Sequence, residues 1–234
     1  VWTGDRMIVW GGRGVPLGGD ARRLGSGAAY DPNGDRWTSL PDTGAPPPRF
    51  SHTAVWTGRA MLVWGGDASD TAVGSADGAS YDPAAQRWQT LSVQNAPTPR
   101  YQHVAVWTGS EMIIWGGVGC GSQDRTRVVP CADGAAYRLD TDSWRELSRE
   151  SAPPAKSGLT AVWTGSYMLV WGGGDAQGYA YDPRVDRWQP LPVSGAPRGR
   201  TNHVALWTGR EMIVWGGLAG EVSVTDGGRL QFAQ

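Results

Sequence analysis

The sequence predicts an all-β chain, a β-propeller of four-stranded antiparallel blades, and two observations carry that prediction. One phrase, Trp-Thr-Gly-x-x-Met followed by two apolar residues and Trp-Gly-Gly, is written five times, starting at Trp2, Trp56, Trp107, Trp163 and Trp207. In every copy the methionine falls three residues before the second tryptophan, and all five methionines of the chain occupy that position. So regular a period marks a repeat protein. The second observation is the absence of helical signals: no stretch keeps a 3.6-residue period, and 35 glycines point to tight turns.

Within one copy the elements follow in order. Ala54-Val55-Trp56 is a short apolar strand, Thr57-Gly58-Arg59-Ala60 a turn that uses the freedom of glycine, and Met61-Leu62-Val63-Trp64 the return strand. The return strand is apolar throughout, as a strand buried on both faces must be. The Gly-Gly pair ends it where backbone passes close to backbone. A loop of variable length leads to a third strand ending in Tyr-Asp-Pro, as at Tyr30-Asp31-Pro32. There Asp31-Pro32-Asn33-Gly34 signals a turn, with proline setting φ and Asn-Gly tolerating the left-handed region. A fourth strand starts at Arg36-Trp37. In the third copy Arg138-Leu139 replaces Asp-Pro, so that turn is expected to be made differently.

Four short strands that close no core alone fit a propeller blade. The glycine doublet after the second strand (Gly65-Gly66), the tyrosine of the third (Tyr81) and the tryptophan of the fourth (Trp88) resemble the kelch family over nearly the whole chain. That resemblance implies a kelch-type propeller. The reading is one domain over residues 1–234, with repeats at 1–47, 48–98, 99–152, 153–196 and 197–234, truncated at both ends. It describes about five blades of a larger ring of six or seven, or else a compact five-bladed ring. The last copy runs out, with Leu230 in place of the tyrosine.

Repeat arithmetic locates a functional face. From Tyr to Trp is always 7 residues, from that Trp to the next Arg or Lys 12, and from there to the Trp before Gly-Gly 15. All variation lies between second and third strands, where the steps are 20, 17, 22 and 10. In an up-and-down blade these loops share one face with the connections between blades. A rigid scaffold showing loops of differing length on one face suits binding, and the opposite face, with its constant short turns, is expected to be a poor candidate.

Several residue sets on that face invite chemistry. Arg49, Arg100, Arg200, Lys156 and nearby Arg198 would ring one opening, and guanidinium groups grip carboxylates, so an acidic peptide or acidic glycan is the expected ligand. Phe50 and Tyr101 follow two of these arginines as stacking surfaces. His52, His103 and His203 each stand three residues after an arginine. They would either converge on a metal or repeat one hydrogen bond between blades, and Leu159 in the fourth copy favours the hydrogen bond. Asp67, Asp70 and Asp77 make the second loop acidic without a recognisable calcium spacing, so they read as solvated carboxylates. The fourteen tryptophans and five methionines all fall on repeat positions and read as packing.

Cys120 and Cys131 bracket the longest loop and read as a disulfide, which implies an oxidising compartment: periplasm, cell surface or medium. Lys156 is the only lysine, an arginine bias expected of a GC-rich bacterial genome. The formal charge of -1 gives no electrostatic reason to expect nucleic acid, and no run of about 18 apolar residues would insert in a membrane.

The functional expectation is a non-catalytic binding module without cofactor or metal, engaging a protein or acidic glycan and set in a larger multidomain surface protein. The alternative implied by the resemblance is a sugar-modifying enzyme. Galactose oxidase-like copper chemistry is disfavoured, because it needs a tyrosine cross-linked to cysteine and both cysteines lie in one loop. A sialic acid epimerase-like propeller would need an acid or base beside the arginines, and Glu221 and Asp20 are the available carboxylates.

Overall fold

The computed structural model describes residues 1–15, 19–69, 73–120 and 128–232. These residues form strands and turns without any helix, arranged as a five-bladed β-propeller. The second blade runs Thr53–Trp56, Met61–Trp64, Gly78–Asp82 and Arg87–Thr90, each strand antiparallel to the one before. The third runs Val104–Trp107, Glu111–Trp115, Gly134–Arg138 and Ser143–Glu146. The fourth runs Leu159–Trp163, Met168–Gly172, Tyr179–Asp182 and Arg187–Pro190. The first blade shows Met7–Trp10, Gly27–Asp31 and Arg36–Ser39, with Trp2 bridging Met7 on the axial side. The fifth shows Val204–Trp207, Glu211–Trp215 and Gly227–Gln231. First strands of blades two to five lie side by side around the axis.

The phrase fixes the register. Met61 sits opposite both Trp56 and Tyr81, and Tyr81 opposite Trp88. Met112 and Met168 hold the same places in the next two blades. The core lies between blades rather than within them. Leu62 and Trp64 pack with Met112, Ile114 and Trp144 of the next blade, while Met61 and Val63 pack with Ile8 and Trp10 of the previous one. Alternation along a strand sends neighbouring side chains to opposite faces, which is why this strand has no polar position.

Second-strand tryptophans meet the fourth-strand tryptophan of the following blade: Trp10 with Trp88 at 5.5 Å between ring centroids, Trp64 with Trp144 at 5.4 Å, and Trp115 with Trp188 at 4.6 Å. The indole N–H of Trp88, Trp144 and Trp188 then donates to a carbonyl of the preceding blade. Met7, Trp2, Trp37 and Trp215, on the first and last blades, are exposed, so the packing reading fails for these four, while Trp10 and Met212 of the same blades are buried.

Two turn expectations need adjusting. The left-handed residue of the third turn is Asp35, with φ 45°, and neither Asn33 nor Gly34 is left-handed. Asp31 Oδ1 accepts the N–H groups of both Asn33 and Gly34, which holds them in an ordinary turn and passes the strain to the next residue. The turn at Arg138-Leu139 keeps the common register, Arg138 opposite Ser143, and differs only in its side chains: Arg138 bonds Asp140 and Thr141 bonds Ser143.

Candidate functional site

The variable loops begin at the glycine doublets. Gly65 and Gly66 have φ of 67° and 97°, and a Cβ on Gly66 would stand 2.9 Å from the Phe50 carbonyl oxygen. Only glycine fits both demands. Each loop of the second, third and fifth blades ends on an aspartate just before the third strand: Asp77, Asp133 and Asp226.

The blade's arginine ties these ends together. Arg49 Nη1 donates to the carbonyl oxygens of Gly65 at 2.8 Å and Asp77 at 3.2 Å, and its guanidinium also holds the Asp77 carboxylate at 2.9 Å. Arg100 Nη1 reaches the Gly116 and Asp133 carbonyls at 3.2 and 3.0 Å and the Asp133 carboxylate at 2.8 Å. Arg200 does the same with Gly216, Asp226 and the Asp226 carboxylate. In the fourth blade Lys156 pairs with Asp175.

The cationic ring expected here is therefore corrected. Arg49, Arg100 and Arg200 are fully buried and spend their donors on the base of their own loops. Burial and prior engagement leave them no face for an acidic ligand. Of the expected cations, Arg198 alone is exposed, and its carbonyl accepts from Arg200 Nε.

Two of the three histidines, His103 and His203, make the same bond between blades. Thr53 Oγ1 lies 2.7 Å from His103 Nε2, and Thr160 Oγ1 lies 2.7 Å from His203 Nε2. Nδ1 of His103 and His203 is buried without a partner, so for these two rings the neutral tautomer with Nε2–H donating to threonine is the economical one. Burial, followed by the neighbouring arginine, holds His52 and His203 down to about 4 and His103 to about 3. The imidazoles line a cavity of about 460 Å³ at the axis together with Ser51, Gln102 and Asn202. Their rings press on the glycine doublets: Cε1 of His103 would lie 2.6 Å from a Cβ on Gly65.

Phe50 is flanked by two cations that sequence reasoning missed, Arg13 at 5.7 Å and Arg23 at 5.6 Å from the ring centroid. Both sit on a small hairpin, Arg13–Gly14 paired with Arg22–Arg23, built from the first variable loop. Arg23 also binds the Asp67 carboxylate at 2.7 Å. Tyr101 pairs backbone to backbone with Val118 in the next loop, and burial with Asp67 nearby raises its pKa. No sequence signal ties residues 13 and 23 to residue 50; only the loop's folding back does so.

Cys120 and Cys131 are joined in a disulfide, Cα to Cα 5.4 Å. With Asp133 they form the only group of three potential metal ligands among the described residues, and disulfide sulfurs offer no thiolate. Asp67 and Asp77 are held by Arg23 and Arg49, and Asp70 lies outside the described residues. Glu221 and Asp20 are exposed loop residues.

Comparison with known proteins agrees with the fold. The family model described as the KLHDC2/KLHL20/DRC7 Kelch-repeats domain matches residues 1–148. The chain belongs to the kelch-repeat family. Kelch propeller domains generally mediate protein interactions. A serine/threonine-protein phosphatase BSL2 of Arabidopsis thaliana is 30% identical over 201 residues, covering 75% of this chain and 19% of the phosphatase. The dynein alpha chain of the flagellar outer arm of Chlamydomonas reinhardtii is 32% identical over 132 residues, 52% of this chain and 3% of the dynein. A human kelch repeat and BTB domain-containing protein 12 is 33% identical over 87 residues, 37% of this chain and 13% of that protein. The chain thus spans a small part of each curated relative. These relatives are eukaryotic and lend no support to the bacterial origin expected from the arginine bias. The solved structure of YjhT superposes with a TM-score of 0.78 at 16% identity, covering 97% of this chain and 78% of YjhT, a likeness of fold.

Proposed function

We propose that the chain is a non-catalytic module that binds a protein partner through the tips of its variable loops. The observation that carries this reading is the Arg–Gly–Asp fastening at the base of the second, third and fifth loops. Arg49, Arg100 and Arg200 fix where a loop leaves and rejoins the scaffold, while the length between those points is free to differ. Loops of unlike length on rigid mounts make a specific surface at low ordering cost. On that surface Phe50 with Arg13 offers an aromatic and a guanidinium side by side, residue types enriched where partners bind tightly. The acidic-glycan reading loses its basis, since the arginines meant to grip the sugar are buried. The Cys120–Cys131 disulfide supports an oxidising compartment as the working place.

The test offers immobilised chain an extract of its source cells and compares Arg13→Ala/Phe50→Ala with Arg36→Ala on the short-turn side. A protein retained by the native chain and by Arg36→Ala, but lost in the double variant with unchanged melting temperature, supports the reading. Retention indifferent to Arg13 and Phe50 would overturn it.

A further inference from the structure

The grooves between successive blades at the short-turn end are built from equivalent residues, and one of them is filled by an arginine of the chain itself. Between the third and fourth blades Arg145, the residue after Trp144, lies across the groove. Its Nε and Nη2 donate to Glu111 at 3.2 and 2.7 Å. Its Nη1 donates to the Tyr181 hydroxyl at 3.3 Å and stands 3.9 Å from the Asp186 carboxylate. Tyr181 in turn donates to Asp186 Oδ1 at 2.6 Å, and the Ser148 N–H donates to the same oxygen at 2.9 Å.

One groove earlier, between the second and third blades, the receiving half is intact. The Tyr137 hydroxyl donates to Asp142 Oδ1 at 2.6 Å, and the Ser92 N–H donates to that oxygen at 2.8 Å. The filling half is gone. Gln89 stands where Arg145 stands, and Ala60 where Glu111 stands. The shortened pair leaves a cavity of about 210 Å³ lined by Arg59, Asp82, Gln89, Tyr137 and Asp142, among others. Asp82 supplies a carboxylate on the second-blade side, as Glu111 does on the third. Arg59 touches it only at 3.5 Å from an 83% exposed side chain, a pair weak enough to be displaced.

We propose that the groove between the second and third blades binds a guanidinium group, the side chain of an arginine presented by a partner protein. The group lies between Asp82 and the Tyr137–Asp142 pair, as Arg145 lies between Glu111 and the Tyr181–Asp186 pair. Arg59 and Arg87 at the rim balance the two aspartates, so the pocket recognises the planar donor fork rather than positive charge in general. The remaining grooves lack this combination. The one between the first and second blades has Gln86 in place of the aspartate, and the one between the fourth and fifth has Leu230 in place of the tyrosine. This site lies on the end of the blades that the constant turn lengths marked as a poor candidate.

The experiment titrates the whole chain with N-acetyl-arginine amide, N-acetyl-lysine amide and free arginine, following heteronuclear NMR shifts. Saturable binding of the blocked arginine, centred on Tyr137 and Gln89 and weakened about tenfold by Asp142→Asn, is the expected result. Asparagine keeps the acceptor that Tyr137 and Ser92 use and removes only the charge. Ala60→Glu/Gln89→Arg rebuilds the neighbouring groove's own filling and should abolish binding while raising the melting temperature. If that variant does not fold, the Asp142→Asn comparison decides alone. Equal binding of the lysine amide, no saturable binding, or binding that survives the filled groove overturns the proposal. Free arginine binding tenfold tighter than the blocked amide also overturns it, by pointing to a small metabolite instead.

Discussion

At the scale of single residues, the histidine position shows how neighbouring blades are matched. His103 faces Thr53 and His203 faces Thr160, so histidine stands where the preceding blade supplies a hydroxyl. Leu159 occupies the histidine place in the fourth blade, and the preceding blade has Val104 at the threonine place. Polar meets polar and apolar meets apolar, which resolves the broken histidine set without a metal. His103→Leu should cost about 1–3 kcal/mol in urea unfolding, because the part-buried Thr53 hydroxyl loses its partner. Adding Thr53→Val, which rebuilds the Val104–Leu159 pairing, should return most of that loss; a cycle without coupling would refute the matching. The same histidines set a pH dependence. Their folded pKa values of about 3 to 4 lie below the ordinary 6.5, so between these limits the unfolded chain binds more protons. Stability is therefore whole above pH 6.5 and falls as pH drops toward 4, by up to about 1.4 kcal/mol per unit for each histidine. Asp31 and Asp82, held below 3.8 by the N–H groups of Gly34 and Ala85, lose their contribution only in stronger acid. Urea midpoints measured from pH 7 to 4 check the sign, and the His103→Leu/Thr53→Val chain should show a shallower slope.

At the scale of the element, the loop fastening separates what sequence spacing reveals from what it hides. The constant 15-residue step from arginine to tryptophan places the guanidinium at the loop base, and that much was legible. Its burial was not, because burial depends on a carboxylate arriving from the far end of a loop whose length differs in each blade. A signal did exist: Asp77-Gly78, Asp133-Gly134 and Asp226-Gly227 recur in the blades that carry an arginine. Tyr137 and Asp142, five residues apart, were legible in the same way and are repeated by Tyr30 with Asp35 and by Tyr181 with Asp186. The fastening has a graded strength. The carboxylate partner is 22% exposed at Asp133 and 67% exposed at Asp226. Arg100→Leu should therefore cost about 3 kcal/mol, and Arg200→Leu distinctly less, since Asp226 left alone keeps its water. Comparable losses would mean that the carbonyl bonds, common to both, dominate. In the third loop the disulfide adds a covalent tie across a separation of 11 residues, worth about 3 kcal/mol by closure entropy. Reduction should speed hydrogen exchange at Gly119 and Cys131, whose N–H groups bond within the loop. It should leave exchange in Gly78–Asp82 unchanged.

At the scale of the whole molecule, the core is a series of seams between blades, and stability is carried by nearest neighbours. That architecture was legible because the phrase repeats with a fixed register. Which faces of the phrase are covered was not legible, since the same tryptophan is fully buried at Trp64 and Trp115 and more than half exposed at Trp215. Identical residue, identical strand position and different exposure give a direct test of where the energy lies. Trp115 joins the third blade to the fourth through Trp188, Met168 and Val170. Trp115→Ala should cost about 3–5 kcal/mol by loss of burial and the cavity it leaves. Because that seam divides the array, the unfolding transition should also broaden or split, with the fourth and fifth blades released from the first three. Trp215→Ala, on an exposed face, should stay within about 0.5 kcal/mol. Urea unfolding followed by tryptophan emission and by far-ultraviolet circular dichroism measures both quantities. Coincident, equally sharp transitions in Trp115→Ala would show that the blades cohere through something other than their tryptophan seams.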